Sequence, residues 1–228
     1  MAIKLVSSRE AATLHGVKCL VYGKAGRGKT TLCATAPNPV IISAESGLLS
    51  LRRFDLPVIE ITTIDDLVDA NRWAYTSKEA EQFETICLDS ITEIAEVVLN
   101  NAKKESKDPR QAYGTMIERM NDVIRSFRDL SGKHVYFSAK QELVKDEATG
   151  ITTYGPSMPG AKLSQQMPYF FDEVFQLDIG TIEDGTEYRY LRTSPTLQYD
   201  AKDRSGSLDP IERPDLTHIF NKIYQGTD

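Results

Sequence analysis

The chain has 228 residues, 40% of them apolar and 26% charged, with a formal net charge of -6. That balance suits one large α/β domain with a substantial core, and it excludes wholesale disorder and a membrane class. The negative charge argues against a protein that coats nucleic acid over its whole surface, while leaving room for a local basic groove.

No apolar run approaches the length of a membrane span, and the apolar segment within residues 1–9 is too short for a secretory leader, so a cytoplasmic location is expected. Cys19, Cys33 and Cys87 are odd in number and fall in expected core elements, which suits reduced, buried thiols. His15, His134 and His218 are scattered without metal-ligand spacing.

In chain order, Val17, Cys19, Leu20, Val21 and Tyr22 read as a buried strand. The next eight residues, Gly23, Lys24, Ala25, Gly26, Arg27, Gly28, Lys29 and Thr30, fit the pattern G-x-x-x-x-G-K-[ST] at every fixed position. A helix is expected over 30–36, carrying Thr31 in its first turn, before Pro37 stops it. Strand, glycine-rich loop and helix in that order make a phosphate cradle. The glycines let successive backbone N–H groups turn inward, Lys29 adds a point charge, and the Thr30 hydroxyl can ligate magnesium. The motif therefore predicts binding of a nucleoside triphosphate, ATP with Mg2+.

Strands are expected next at 39–43 (PVIIS) and 57–61 (PVIEI), then a helix over 64–78 with Asp65 and Asp66 in its first turn. The run 84–89 (ETICLD) is a strand ending in a carboxylate, Asp89, and 91–104 follows as a helix. A charged stretch, 103–110, precedes a second helix over 113–130, with Pro109 expected to enforce the break. Residues 134–139 (HVYFSA) form the next strand, and 173–177 another. Between them, 140–168 is long, polar and weakly periodic, which suits a functional loop, a hairpin or a disordered lid. The tail holds a hairpin over 180–193, turning at Asp184-Gly185, and a terminal helix after Pro214. Alternating strands and helices predict a mostly parallel sheet flanked by helices. The whole of 1–228 reads as a single domain, with a core of about 16–180 and a C-terminal hairpin and helix over about 181–228.

A phosphate cradle needs a carboxylate for the magnesium shell, and Asp89, at a strand's C-terminal edge, is the candidate. Hydrolysis needs a group to polarise water. Ser90 follows Asp89, so the glutamate that AAA+ ATPases place there must come from elsewhere, and Glu45, just past the 39–43 strand, is well placed.

With these residues the chain resembles the RecA family of recombination ATPases. There the strand after the P-loop helix ends in Ala-Glu, matched by Ala44-Glu45, and the Walker B strand ends in Asp-Ser, matched by Asp89-Ser90. The whole looks most like the short RecA-core proteins of bacteriophages that anneal or exchange single strands. The resemblance implies a RecA-like P-loop NTPase fold, Glu45 as the catalytic glutamate, and a terminal-phosphate sensor at Lys140 or Gln141. It also implies Lys202 and Arg204 reaching a neighbouring subunit's nucleotide. Two loops, about 100–112 and 141–160, would hold single-stranded DNA through Lys103, Lys104, Lys107 and Arg110 in the first. Lys145, Tyr154 and, at the edge, Lys162 would serve in the second. Implied partners are single-stranded DNA, further copies of the chain in a ring or filament, and a single-strand-binding protein, all in the bacterial host cytoplasm. Two features depart from RecA: the strand before the second loop ends in Ala139-Lys140-Gln141 rather than Asn-Gln, and RecA's polymerising arm is not recognisable. Other readings of the same core are an ATP-dependent regulatory switch acting on a protein partner, a helicase or packaging motor, and a small-molecule kinase, the last weakened by the lack of an arginine-rich lid.

Overall fold

The computed structural model describes residues 5, 7, 15–45, 48–145 and 149–225. Most of the 1–9 segment therefore lies outside the described residues.

The expected apolar runs become parallel strands because each is flanked by helices that cover both faces. These are β1 (Lys18–Gly23), β2 (Pro39–Ser43), β3 (Val58–Glu60), β4 (Thr85–Asp89), β5 (His134–Lys145) and β7 (Glu173–Thr181). They lie side by side in the order β7-β1-β5-β4-β2-β3, all parallel. Antiparallel pieces finish the sheet: β6 (Thr152–Pro156) on β5, β8 (Glu187–Arg192) and β9 (Lys202–Asp203) on β7, and β10 (Ile211–Glu212) on β8.

Alternation along the strands feeds two cores. Leu20, Tyr22, Ile42, Leu88 and Phe137 point to a face covered by α4 (Ile91–Glu105) and α5 (Pro109–Arg128). Cys19, Val21, Ile41, Cys87 and Tyr136 point to the other, covered by the short α1 (Lys29–Cys33) and the terminal α7 (Leu216–Gln225). The three cysteines are buried and free of disulfides. Among the described residues no helix is long and apolar enough to cross a membrane.

Several expected boundaries move, each for a local reason. The 64–78 helix is two helices, α2 (Ile64–Thr76) and α3 (Lys78–Glu81). Ser77 adopts an extended backbone and caps the second by accepting from Glu79 N at 3.1 Å. Pro109 does not break a helix but starts one. It occupies the first turn of α5, where no N–H partner is needed, and Asp108 caps the turn by accepting from Arg110 N at 2.9 Å. The expected first DNA loop, 100–112, is consequently helix on both sides of a three-residue joint, 106–108. Within the polar stretch 140–168, β5 continues to Lys145 and pairs with β6, and α6 (Ala161–Gln166) follows. Residues 146–148 of the second expected loop lie outside the described residues.

Candidate nucleotide-hydrolysis site

The loop after β1 begins with a close approach. A Cβ on Gly23 would lie 2.5 Å from the Leu177 carbonyl oxygen, so only glycine lets β1 run this near β7 at the cradle's entrance. Gly28, at φ 102°, then turns the chain into α1 in a region that L side chains rarely adopt. The buried Tyr136 hydroxyl donates to the Lys29 carbonyl at 2.9 Å and supports the turn from beneath. From the side, Arg27 Nε lies 2.9 Å from Asp178 Oδ1 on β7, and Arg189 Nε on β8 donates to the Arg27 carbonyl at 3.0 Å.

The loop opens into a cavity of about 910 Å³, lined by Gly23, Lys24, Ala25, Gly26, Gly28 and Lys29, with Thr30 and Thr31. Glu45, Lys140 and Gln141 line the same cavity, so the structure brings together the cradle, the expected water-polarising carboxylate and both sensor candidates. The volume is at the upper end of ordinary small-molecule sites. Lys29 Nζ donates to the Gly23 and Lys24 carbonyls at 2.8 and 3.2 Å. Burial pushes its ammonium below the usual lysine range, opposed by the charges of Asp89 and Glu45.

Asp89 ends β4 fully buried. One oxygen accepts from Ser138 on the neighbouring β5, while Oδ2 is buried with no hydrogen-bond partner. A buried carboxylate oxygen without a partner costs free energy unless a cation or water meets it. Thr30, which lines the cavity, and Asp89, which does not, are oxygen donors of the kind a hard divalent cation takes. Ser90 caps α4 by accepting from Glu93 N at 3.4 Å, which fixes where β4 hands its carboxylate over. The Asp89–Ser90 peptide is cis. Glu45 follows β2 at the same sheet edge, and its N–H donates to Ser43 Oγ at 3.1 Å. Lys140 forms an ion pair with Glu93, which holds its ammonium above the usual range, and its N–H donates to Thr92 Oγ1 at 3.0 Å. Gln141 Oε1 is buried without a partner.

The family model described as "AAA domain" matches residues 15–205. The chain belongs to that AAA domain family. A search of the curated proteins finds no match. Among solved structures, a KaiC-like protein from the hyperthermophilic archaeon Pyrococcus horikoshii OT3 aligns over 82% of this chain and 83% of that one, at 16% identity and a TM-score of 0.46. With its P-loop and a largely parallel sheet flanked by helices, this AAA-domain chain is an ATP-hydrolysing P-loop enzyme.

The remaining expected residues do not line the nucleotide cavity. Lys103 and Lys104 end α4, and Lys103 Nζ sits 5.8 Å above the Tyr113 ring. Lys107 is in the joint and Arg110 in the first turn of α5. Lys145 ends β5, Lys162 is exposed on α6, and Tyr154 on β6 stacks on Tyr199 with ring centroids 5.2 Å apart. Lys202 Nζ donates to the Pro168 carbonyl at 2.7 Å and also to that of Phe171, and Arg204 lies 2.8 Å from Asp172. Both cations are thus bonded within their own chain.

Sequence reasoning missed Ser138, Glu93, Arg53 and Arg189. Ser138 had a signal, a polar residue inside an apolar strand run; Glu93 lies one helical turn past Ser90. Arg53, which lines the cavity beside Ser50, and Arg189, far away in sequence, carried none.

Proposed function

We propose that this ATPase binds single-stranded DNA and serves phage-type recombination or strand annealing, with ATP occupancy setting its hold on the strand. The supporting observation is the course of β5. Lys140 and Gln141 line the phosphate cavity, and from Gln141 onward the same strand pairs with β6, Gln141 opposite Pro156, to form the projecting hairpin. A change at the phosphates is therefore one residue away from a surface element.

In this reading Thr30 and Asp89 hold the magnesium ion, which when bound neutralises phosphate charge. Glu45 polarises the attacking water, and Lys140 or Gln141 reads the terminal phosphate. Lys202 and Arg204 act on a neighbouring copy in a ring or filament, once assembly frees them from the bonds they make within the chain. Lys103, Lys104, Lys107, Arg110, Lys145 and Lys162 contribute phosphate contacts, and a single-strand-binding protein supplies the substrate strand.

ATP turnover measured alone, with single-stranded DNA and with duplex DNA tests the proposal. Stimulation by the single strand and not by the duplex is expected. Turnover indifferent to both would refute it and favour an ATP-dependent switch acting on a protein.

A further inference from the structure

We propose that the outer face of the β7–β8 hairpin, with the 195–199 turn, is a stacking platform for a single strand of nucleic acid, running from the hairpin to the mouth of the phosphate cradle. The proposal rests on the nucleic-acid reading above and gives it a surface away from the two expected loops, of which it keeps only Tyr154.

In the antiparallel pair, Gln176 lies opposite Arg192, Asp178 opposite Tyr190 and Gly180 opposite Tyr188. Alternate residues share a face, so Tyr188, Tyr190 and Arg192 form one row. The residues between them face the other way, Leu191 into the core and Arg189 onto the P-loop.

Along the row, aromatic faces and cations follow one another. The Tyr188 and Tyr190 ring centroids are 5.8 Å apart. The Arg192 guanidinium sits 5.6 Å from the Tyr190 ring and 5.3 Å from the Tyr199 ring. Tyr199 stacks on Tyr154 at 5.2 Å with 25° between planes, and Lys24 Nζ, in the P-loop itself, lies 6.0 Å above Tyr154.

The row is held in place and open on one side. A Cβ on Gly180 would lie 2.7 Å from the Tyr188 ring, so that ring lies down over a bare backbone; it is 47% exposed. Tyr154 N donates to the Gln198 carbonyl at 2.6 Å and Asp200 N to the Tyr154 carbonyl at 2.9 Å. The buried Tyr22 hydroxyl sits between the Tyr154 and Asp200 carbonyls, at 2.8 and 2.6 Å. This bracing leaves Leu197 94% exposed at the tip of the turn, an apolar side chain beside the stacked pair.

Charge and shape select the occupant. Asp178 is matched by Arg27 at 2.9 Å and accepts from Gln176 Nε2 at 2.9 Å, and Asp200 is half-buried. The exposed Glu183, Asp184 and Glu187 sit at the far end of the hairpin, so the cationic part of the row is its cradle end. There Lys24 and Arg192 have no carboxylate partner among the described residues, and Arg192 donates to Gln176 Oε1 at 3.4 Å and to the Tyr190 hydroxyl at 3.3 Å. Cations spaced among aromatic faces suit a polyanion whose bases are unstacked; in a duplex those faces are already covered.

The test is anisotropy of a labelled oligo-dT strand, with Mg2+ and a non-hydrolysable ATP analogue, on the full chain. The double variant Tyr188→Ala/Tyr190→Ala is expected to weaken binding at least about tenfold, from the loss of base stacking. Tyr190→Phe is expected to keep it. Arg192→Gln is expected to lower the log–log salt slope by about 0.7. Melting temperature and affinity for the ATP analogue are expected to stay at wild-type values in all three. Wild-type affinity in the double variant would overturn the platform and leave the nucleic-acid reading standing. Absence of strand binding by the wild type would overturn that reading and the platform with it. A loss traced to a change in oligomeric state would reassign the row to a contact between copies.

Discussion

Replacing Glu173 with Gln isolates one buried proton. Glu173 begins β7, opposite Cys19 of β1, at the end of the sheet away from the P-loop, and is only 1% exposed. Burial first, then the charge of Asp203, raises its carboxyl from 4.5 to about 8. Asp203 goes the other way: accepting from Ser205 Oγ at 2.6 Å and from Leu208 N and Gly206 N at 3.0 and 2.9 Å outweighs its own burial. Glu173 therefore holds its proton to higher pH while Asp203 stays ionised, and Glu173 Oε2 is buried without a hydrogen-bond partner. Ser205 N donates to Glu173 Oε1 at 3.2 Å. Because the folded-state value is raised, the stabilising contribution is complete below pH 4.5 and is lost as pH rises toward 8. At about 1.36 kcal/mol per unit over that window, the loss is on the order of 3–5 kcal/mol. Gln mimics the protonated acid at all pH values. Urea unfolding of wild type and Glu173→Gln at pH 5 and 8.5 should give nearly equal stabilities at the lower pH and a Gln variant several kcal/mol more stable at the higher. The His134 slope, whose ring burial and Lys18 together lower to about 4, falls on the acid side and is common to both chains. Parallel pH profiles for the two proteins would refute the buried-proton reasoning.

Glu45→Gln should retain ATP binding and lose turnover by about 10²–10⁴-fold, the range for removing a general base, as read by phosphate release against fluorescent-nucleotide binding. Asp89→Asn should abolish the magnesium dependence of nucleotide affinity in titrations with and without EDTA, while remaining folded, because the amide still meets Ser138 but gives Oδ2 no charge to offer a cation. Gly28→Ala places a Cβ at φ 102° and 3.3 Å from Arg189 Nε, so it should lose about 1–3 kcal/mol of stability by denaturant titration and most of its ATP affinity.

Local chemistry made the nucleotide half of this protein readable. A P-loop is contiguous, its glycines answer to backbone geometry, and its flanking strand and helix show in apolar spacing, so 23–30 identified their own role. The placement of Glu45 and Asp89 at one sheet edge was legible for the related reason that parallel strands deliver their C-terminal residues to one edge. Helix boundaries were less so. Pro109 and Ser77 each read two ways, and which way depended on a cap formed by the neighbouring side chain.

Tertiary structure alone decided the rest. The pairing of 141–145 with 152–156 required β5 to extend past the sheet and find β6, which no local pattern specifies. Ser138 beneath Asp89 and Arg189 against Arg27 join residues 49 and 162 positions apart. The alternation of Tyr188, Tyr190 and Arg192 with Tyr199, Tyr154 and Lys24 likewise unites three distant segments through packing, a register across strands rather than along the chain. Sequence determined the phosphate chemistry because that chemistry is local; the surface proposed here for a single strand exists only because of which strands lie side by side.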